Sequence, residues 1–402
     1  MRVQKSVVRT LGFVGLAALG AAQANAQTSV TVGGREIQVH GFVQQGFVFT
    51  DDNSFLTMGS STGSNGSGEM TDGAFNVSSK LHDKVRVGAQ VYARNLGQFG
   101  NGRVELDWVF ADYQMSEKIG FRGGKVKTQL GLINDTQDME FLHTWALLPQ
   151  AVYPLDLRSV TIAHTGGDVY GRLGTKKAGQ FAYSAYFGVL PDDKRGGYRY
   201  GLEDRGLGVI GDIKRHGGGG DLRWTAPLDG LQVGVSHLES RGEFNLRSAQ
   251  VPIPLNVDLT KWNITALYSD YQYEDWHFSG EWRRTIAELK VTPSAAPTAP
   301  IESIGWFMSG AYRVAKPLEL GAYYSRYVAN TDFASSLDNN HVSGPTVTAR
   351  YDFPRYVSIK AEGHFLDGYG DPLSPRGFYP RTNTTGFANG TNMFVLRTAF
   401  SF

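Results

Sequence analysis

A chain of 402 residues with 39 basic and 38 acidic side chains, a net charge of +1, has no global electrostatic pull toward nucleic acid or anionic lipid, so any electrostatic function must be local. The absence of cysteine excludes a disulfide framework. Its 50 glycines, 23 phenylalanines and 19 tyrosines exceed ordinary usage and suit tight strand turns and aromatic girdles.

At the start, Arg2, Lys5 and Arg9 precede an apolar run over 11–22 and the small-x-small triplet Ala24, Asn25, Ala26. This pattern predicts a cleaved secretory signal over residues 1–26 and a mature chain over 27–402. The apolar run is shorter than the roughly 20 residues a spanning helix needs, and later apolar stretches are broken by charges every few residues.

The mature chain alternates with period two. A first strand is expected over 37–50, followed by a Gly/Ser/Asn loop over 51–72. Phe75, Val77 and Leu81 then alternate with Asn76, Ser78 and Lys80 up to a turn at His82, Asp83 and Lys84. The clearest segment is 85–94, with Val85, Val87, Ala89, Val91 and Ala93 on one face and Arg86, Gly88, Gln90, Tyr92 and Arg94 on the other. A fourth strand alternates Val104, Leu106, Trp108 and Phe110 with Glu105 and Asp107; a fifth runs over 119–130, where Gly123 and Gly124 suggest a bulge.

Residues 134–159 break the pattern, being neither strand nor polar loop. Asp135 and Asp138 fit an N-terminal turn, Met139, Phe141, Leu142 and Trp145 fall at helical spacing, and Pro149 ends the stretch. The segment is expected to fold into the lumen of a barrel, its apolar residues packing it onto the wall.

Beyond it, strands are expected around 168–173, with a turn through Lys176 and Lys177, and then on Phe181 to Val189. Further strands are expected over 220–225 and on Leu231, Val233 and Val235. In the tenth, Trp262, Ile264, Ala266 and Tyr268 alternate with Lys261, Asn263 and Thr265; the eleventh carries Trp276, Phe278, Gly280 and Trp282. After a Pro/Ala loop at 291–300, strands carry Phe307 and Ala311, then Leu318 to Tyr324, Val347 to Phe353 and Val357 to Gly363, with a turn at Pro354 and Arg355. A loop over 367–391 precedes the last strand, where Phe394, Leu396, Thr398, Phe400 and Phe402 share a face. Gly217 to Gly220 reads as flexible linker. About sixteen strands, give or take two, joined alternately by short turns and long loops, predict an all-β antiparallel transmembrane barrel forming one domain over 27–402. A soluble propeller would show a repeated motif at fixed period, and none is present.

The signal, the strand number and the final strand ending in Phe402 resemble the trimeric outer-membrane porins of Gram-negative bacteria. The run GGKVKTQLGLINDTQD over 123–138 resembles the strand and loop start of the phosphate-selective branch. The resemblance implies a homotrimer in the outer membrane, in contact with lipid and lipopolysaccharide, with Phe402 serving barrel assembly. It also implies a loop after the fifth strand that narrows a water-filled channel for passive diffusion of small hydrophilic solutes and ions. The inserted segment lacks a lysine-rich run, so a weak anion preference or none is expected.

A barrel this wide leaves an aqueous channel unless something obstructs it. Lumen faces are expected to carry Lys80, Arg86, Arg94, Arg122, Arg223, Arg283, Arg326, Arg350, Lys360 and Arg397, answered by Glu105, Asp107, Asp168, Asp221, Glu281, Glu319 and Glu362. One reading is a solvated ladder of paired charges. The sharper one is a constriction in which Arg86, Arg94, Lys125 and Lys127 face Asp135, Asp138 and Glu140 across the pore.

Two other functions compete: a barrel hydrolase of lipids or peptides, and a plugged structural or adhesive barrel. His40, His164, His237, His277 and His364 lie on strands or their ends without a nucleophile elbow, and read as wall histidines. Asp51, Asp52 and Asn53 lack the glycine and distal glutamate of a calcium loop. No catalytic residue, metal, cofactor or nucleic-acid partner is expected.

Overall fold

The computed structural model describes residues 28–402 except 33, 59–61, 63–64, 176, 249, 251, 294–298, 355 and 371–375. The expected signal at 1–26 lies outside the described residues, as do Lys176 and Arg355 of two expected turns and the middle of the 291–300 loop. A short strand β1 (Thr28–Val32) precedes β2 (Arg35–Thr50), β3 (Ser67–His82), β4 (Val85–Leu96), β5 (Val104–Gln114) and β6 (Gly120–Lys127). After the inserted segment come β7 (Ala163–Thr175), β8 (Gly179–Leu190), helix α1 (Gly197–Asp204), β9 (Leu207–Thr225), β10 (Leu231–Ser248), β11 (Leu255–Tyr273) and β12 (Trp276–Thr292). Strands β13 (Ile301–Ala315), β14 (Leu318–Val328), β15 (His341–Phe353), β16 (Val357–Asp367) and β17 (Gly390–Ser401) complete the wall.

Each strand from β2 to β17 pairs antiparallel with the next, and β17 returns to β2 in the register Phe394 to Phe49 and Phe400 to Val43, closing a sixteen-strand barrel. Closure pairs each of the staves β2 to β17 on both sides, the condition for a sheet to stand in lipid. At the seam the Gly41 and Phe402 amides bond to each other's carbonyls at 3.0 and 2.9 Å. The β1 strand forms a hairpin with the first part of β2 and adds no stave. Short turns at one end, such as 83–84, 274–275 and 316–317, alternate with long loops at the other, over 51–66, 128–162, 191–206, 329–340 and 368–389.

Period-two alternation sorts the side chains. Phe47, Phe49, Phe75, Val91, Phe187, Val189, Val347, Phe394, Leu396 and Phe400 are exposed on the outside. Near the turn end the rings pair up: Phe181 with Trp224, Tyr271 with Tyr273, Trp276 with Phe278 and Tyr312, Tyr351 with Phe353, and Phe400 with Phe402. A girdle of this kind marks a membrane interface.

Several expectations need correction. The loop over 51–72 is shorter, because β3 begins at Ser67, and the strand expected at 220–225 begins at Leu207. Gly217 to Gly220 are therefore interior to β9 and form no linker; a Cβ at Gly219 would lie 2.1 Å from the His237 carbonyl and 2.7 Å from Tyr186 Oη, so close packing requires the glycine. Pairing runs through Gly123 and Gly124 without a register slip; Gly124 instead takes φ +131°, with a would-be Cβ 2.2 Å from the Val109 carbonyl. The bulge lies in β5, where register slips around Asp107, so Trp108 and Phe110 turn to the side of Gln90 and Gly88 while Val109 points out. In β11, Ile264, Ala266 and Tyr268 are buried inside the barrel and Leu267 is exposed outside. An apolar strand face can point inward here because loop residues fill the lumen, Leu130 packing against Ile264 among them.

Candidate functional site

Residues 128–162 leave β6, cross the lumen and return to β7. Their neck is tied by the Thr128 amide on the Ile162 carbonyl at 3.0 Å and by the Asn134 side-chain amide, which donates to the Thr128 and Thr161 carbonyls at 2.8 and 2.9 Å. The helical spacing after Asp135 does not yield an α-helix; the segment is a chain of turns with short 3-10 stretches at Glu140–Leu142 and Leu155–Val160. The physical reason lies in the wall, whose cations draw the carbonyls that an α-helix would use internally.

Lys360 on β16 makes this plain. Its fully buried ammonium donates to the carbonyls of Glu140 at 2.6 Å and Trp145 at 3.1 Å and to that of His143, and lies 2.8 Å from Glu140 Oε1. Arg350 donates to the His143 and Phe141 carbonyls at 2.8 and 2.9 Å, and Arg397 to the Ala146 carbonyl at 3.0 Å. The buried Glu362 carboxylate accepts the Ala146 and Leu147 amides at 2.9 and 3.0 Å. A buried charge is tolerated only when paired and hydrogen-bonded, and the loop backbone supplies those bonds.

The other side is clamped in the same way. Arg283 donates to the Val152 carbonyl at 2.8 Å and pairs with Glu281, which accepts the Leu132 amide at 2.8 Å and the Tyr153 hydroxyl. Asp107 and Asp138 share two cations: Lys127 at 3.2 and 2.6 Å, and Arg158 at 3.0 and 3.2 Å. Gln90 donates to both carboxylates, and the Arg158 guanidinium lies 4.4 Å over the Tyr92 ring.

Of the expected constriction, then, Lys127, Asp138 and Glu140 are in the clamps. Arg86 is exposed near the turn end, donating to Ser78 Oγ at 3.1 Å. Arg94 pairs with Asp193 of the 191–206 loop. Lys125 stands opposite Val109 and Thr165, on the outward parity of β6, and bonds the Leu106 carbonyl. These three do not face Asp135, Asp138 or Glu140 as expected: Arg86 sits at the turn end, the 191–206 loop claims Arg94, and Lys125 shares the outward parity of its partners Val109 and Thr165. Asp135 is half-buried; burial pushes its carboxyl above the usual carboxylate range, and Arg223 pulls against that.

Among the expected lumen cations, Arg122 lies 3.7 Å from Asp112 and Arg223 3.6 Å from Asp221, while Lys80 is exposed at the turn end. Arg326 is opposite Trp306, shares the outward parity of Tyr324 and donates to the Ser343 hydroxyl at 3.2 Å, so it does not line the lumen. Glu105 is exposed beside the β5 bulge. Sequence reasoning missed Gln44, Gln90 and Thr144 as loop anchors; Gln44 donates to the Asp138 carbonyl at 2.8 Å and Thr144 to Glu319 at 2.5 Å. Lumen parity was the one signal for Gln44 and Gln90, and every polar wall residue shares it; Thr144, in the inserted segment, had none.

Apolar packing holds the segment as expected. Trp145 lies edge-on to Tyr323, centroids 5.0 Å apart, over Gly321, where a Cβ would meet the indole at 2.8 Å. Ala146 and Leu147 join a buried cluster with lumen-facing Val48, Met70, Leu96, Met393 and Val395, roofed by Phe55 and Leu56, by Tyr200 of α1 and by Phe378 and Tyr379. Three further loops therefore fold inward. The 51–53 turn, which lacks the features of a calcium loop, is one of their anchors: Asn53 is buried and donates to the Ala388 carbonyl at 2.8 Å. The turn-side vestibule stays polar, with Arg122, Asp112 and Tyr170 on one wall and Arg313, Asp352, Asp270 and His277 on the other.

No family model matches the chain, and no curated protein does. Solved structures match it along nearly its whole length. Salmonella typhi OmpF in complex with daunomycin is 12% identical, with 93% of this chain and 100% of that one covered and a TM-score of 0.58. The trimer form of OmpT, an outer membrane protein of Vibrio cholerae, is 13% identical over 91% and 99% at 0.55. An anion-selective porin from Comamonas acidovorans is 10% identical over 92% and 100% at 0.53. The fold is that of outer-membrane β-barrel proteins. At such identities the likeness is one of fold alone.

Proposed function

We propose that this chain is an outer-membrane porin, a water-filled channel for passive diffusion of small hydrophilic solutes and ions, assembled as a homotrimer among outer-membrane lipids and lipopolysaccharide. The observation that carries the reading is a closed sixteen-strand barrel whose loop after the fifth stave lies inside it, clamped to opposite walls by paired buried charges. Such a loop narrows a wide pore to a fixed aperture. The trimer form of the similar Vibrio cholerae protein supports the homotrimer.

The clamps nearly cancel in charge: Asp107 and Asp138 face Lys127 and Arg158, and Glu140 faces Lys360. Ion preference is then weak and is set by Asp135 and the vestibule. The similarity to an anion-selective porin does not carry phosphate specificity.

The hydrolase alternative finds two alignments of hydroxyl, imidazole and carboxylate: Thr128, His164 and Asp168 at 3.0 and 2.7 Å, and Thr346, His364 and Glu362 at 3.0 and 2.9 Å. All six groups are buried in the wall, and Glu362 already holds the loop amides. A catalytic group must reach its substrate, so we read both as supports and the chain as no enzyme. Liposome swelling tests the reading: vesicles carrying the protein should swell in small sugars and more slowly in larger ones. No swelling with any solute, together with turnover of a lipid or peptide substrate, would favour the hydrolase; no swelling and no turnover would favour a plugged barrel.

A further inference from the structure

At the loop-side rim, away from the clamps, three side chains converge. Asp338 lies in the 329–340 loop, His341 opens β15 and Asp367 ends β16; one ligand atom from each lies within 4.8 Å of the others. We propose that Asp338, His341 and Asp367 bind a divalent transition-metal ion of the zinc class.

The imidazole decides the chemistry. His341 is buried, and its Nδ1 is 2.9 Å from the Leu337 carbonyl oxygen, which can only accept, so Nδ1 carries the hydrogen. In a neutral ring the free lone pair is then on Nε2, which points at Asp367 Oδ2, 2.9 Å away. A lone pair facing a carboxylate needs a cation between them, a proton or a metal ion, and the second carboxylate of Asp338 beside them favours the metal ion. Metal-bound histidines characteristically donate their other ring N–H to a carbonyl or carboxylate, the arrangement Leu337 provides. The His341–Asp367 separation agrees, since ligand atoms each about 2.0–2.1 Å from zinc sit roughly 3 Å apart, and Asp338 stands within 4.8 Å to complete the set. One imidazole and two carboxylates suit zinc, whereas calcium and magnesium take oxygen alone.

The backbone holds the site together. The Asp338 carbonyl accepts the Tyr369 amide at 2.8 Å, and Gly368, at φ +79°, passes so close that a Cβ would lie 2.2 Å from the His341 carbonyl. The 368–389 loop that this junction fixes carries Tyr379, whose hydroxyl donates to Asp156 of the inserted segment at 2.7 Å. A bound ion would cross-link the rim loops and, through Tyr379, brace the lumen segment.

Calorimetric titration of the full-length protein in detergent with ZnCl2 and, separately, CaCl2 tests the site. One Zn2+ per chain is expected, with no comparable Ca2+ binding, and D338N and H341Q should each weaken Zn2+ at least about tenfold. Unchanged heat-dependent gel migration would show that both variants still form the barrel; D338N, on a surface loop, keeps the test valid if H341Q misfolds. Absence of Zn2+ binding, or binding unaltered in D338N, would overturn the proposal and leave a protonated His341 paired with Asp367.

Discussion

Lys360 concentrates the chemistry of the lumen in one atom. Replacing it with methionine leaves three loop carbonyls and the Glu140 carboxylate in a dry pocket, and breaking a buried pair by removing one partner costs about 3–5 kcal/mol. The K360M variant should show faster hydrogen exchange over 139–147 and a lower urea midpoint, while strand amides stay protected. His143 adds a pH dependence: burial holds its imidazole down at about 4, opposed by its bond to the Thr136 carbonyl and helped by the nearby Lys360 charge. The unfolded ring takes up a proton near pH 6.5 and the folded one resists until about 4, so stability is fully present above 6.5 and is lost as pH falls through that window. Exchange protection over 136–146, corrected for the intrinsic pH dependence of amide exchange, should fall as pH drops from 6.5 to 4.5, and His143→Gln should flatten that fall. Asp135 is the loop carboxylate of the expected three outside the clamps, so D135K should move the reversal potential toward anions, whereas D138K should loosen the segment; equal selectivity in wild type and D135K would remove Asp135 from the pore.

At the scale of elements, the alternating strands were legible because lipid and water impose opposite demands on successive side chains, as in β4, where Val91 faces out and Gln90 is buried within. The inserted segment was legible as an interruption at residue 134 and was placed after the correct stave. Its conformation was not, because the Lys360 and Arg350 side chains that capture its carbonyls come from the far side of the barrel, more than 200 residues away in sequence. The phase of β5 was hidden for a related reason: a bulge at Asp107 leaves the alternation of letters intact while swapping faces. The inward apolar Ile264 reads as membrane-facing until Leu130 of the inserted segment, which covers it, is placed. Gly124 is an element-scale constraint that can be tested; alanine there meets both φ +131° and the Val109 carbonyl, so G124A should reduce the yield of heat-resistant barrel on refolding.

For the whole molecule, the barrel is the rigid part and the lumen is a second, inside-out core, part apolar and part ionic, built by loops that fold inward from one end. On the proposed porin reading, such a core makes the aperture a property of the clamps and not of the barrel diameter. Purified protein in a planar lipid bilayer is the direct measurement. Long-lived conductance steps in groups of three are expected, much smaller than an unobstructed sixteen-strand pore would give, with K360M giving noisier and larger steps. Complete absence of conductance in the wild-type protein, with the barrel shown to be folded, would contradict the porin reading and mean that the inward loops seal the lumen.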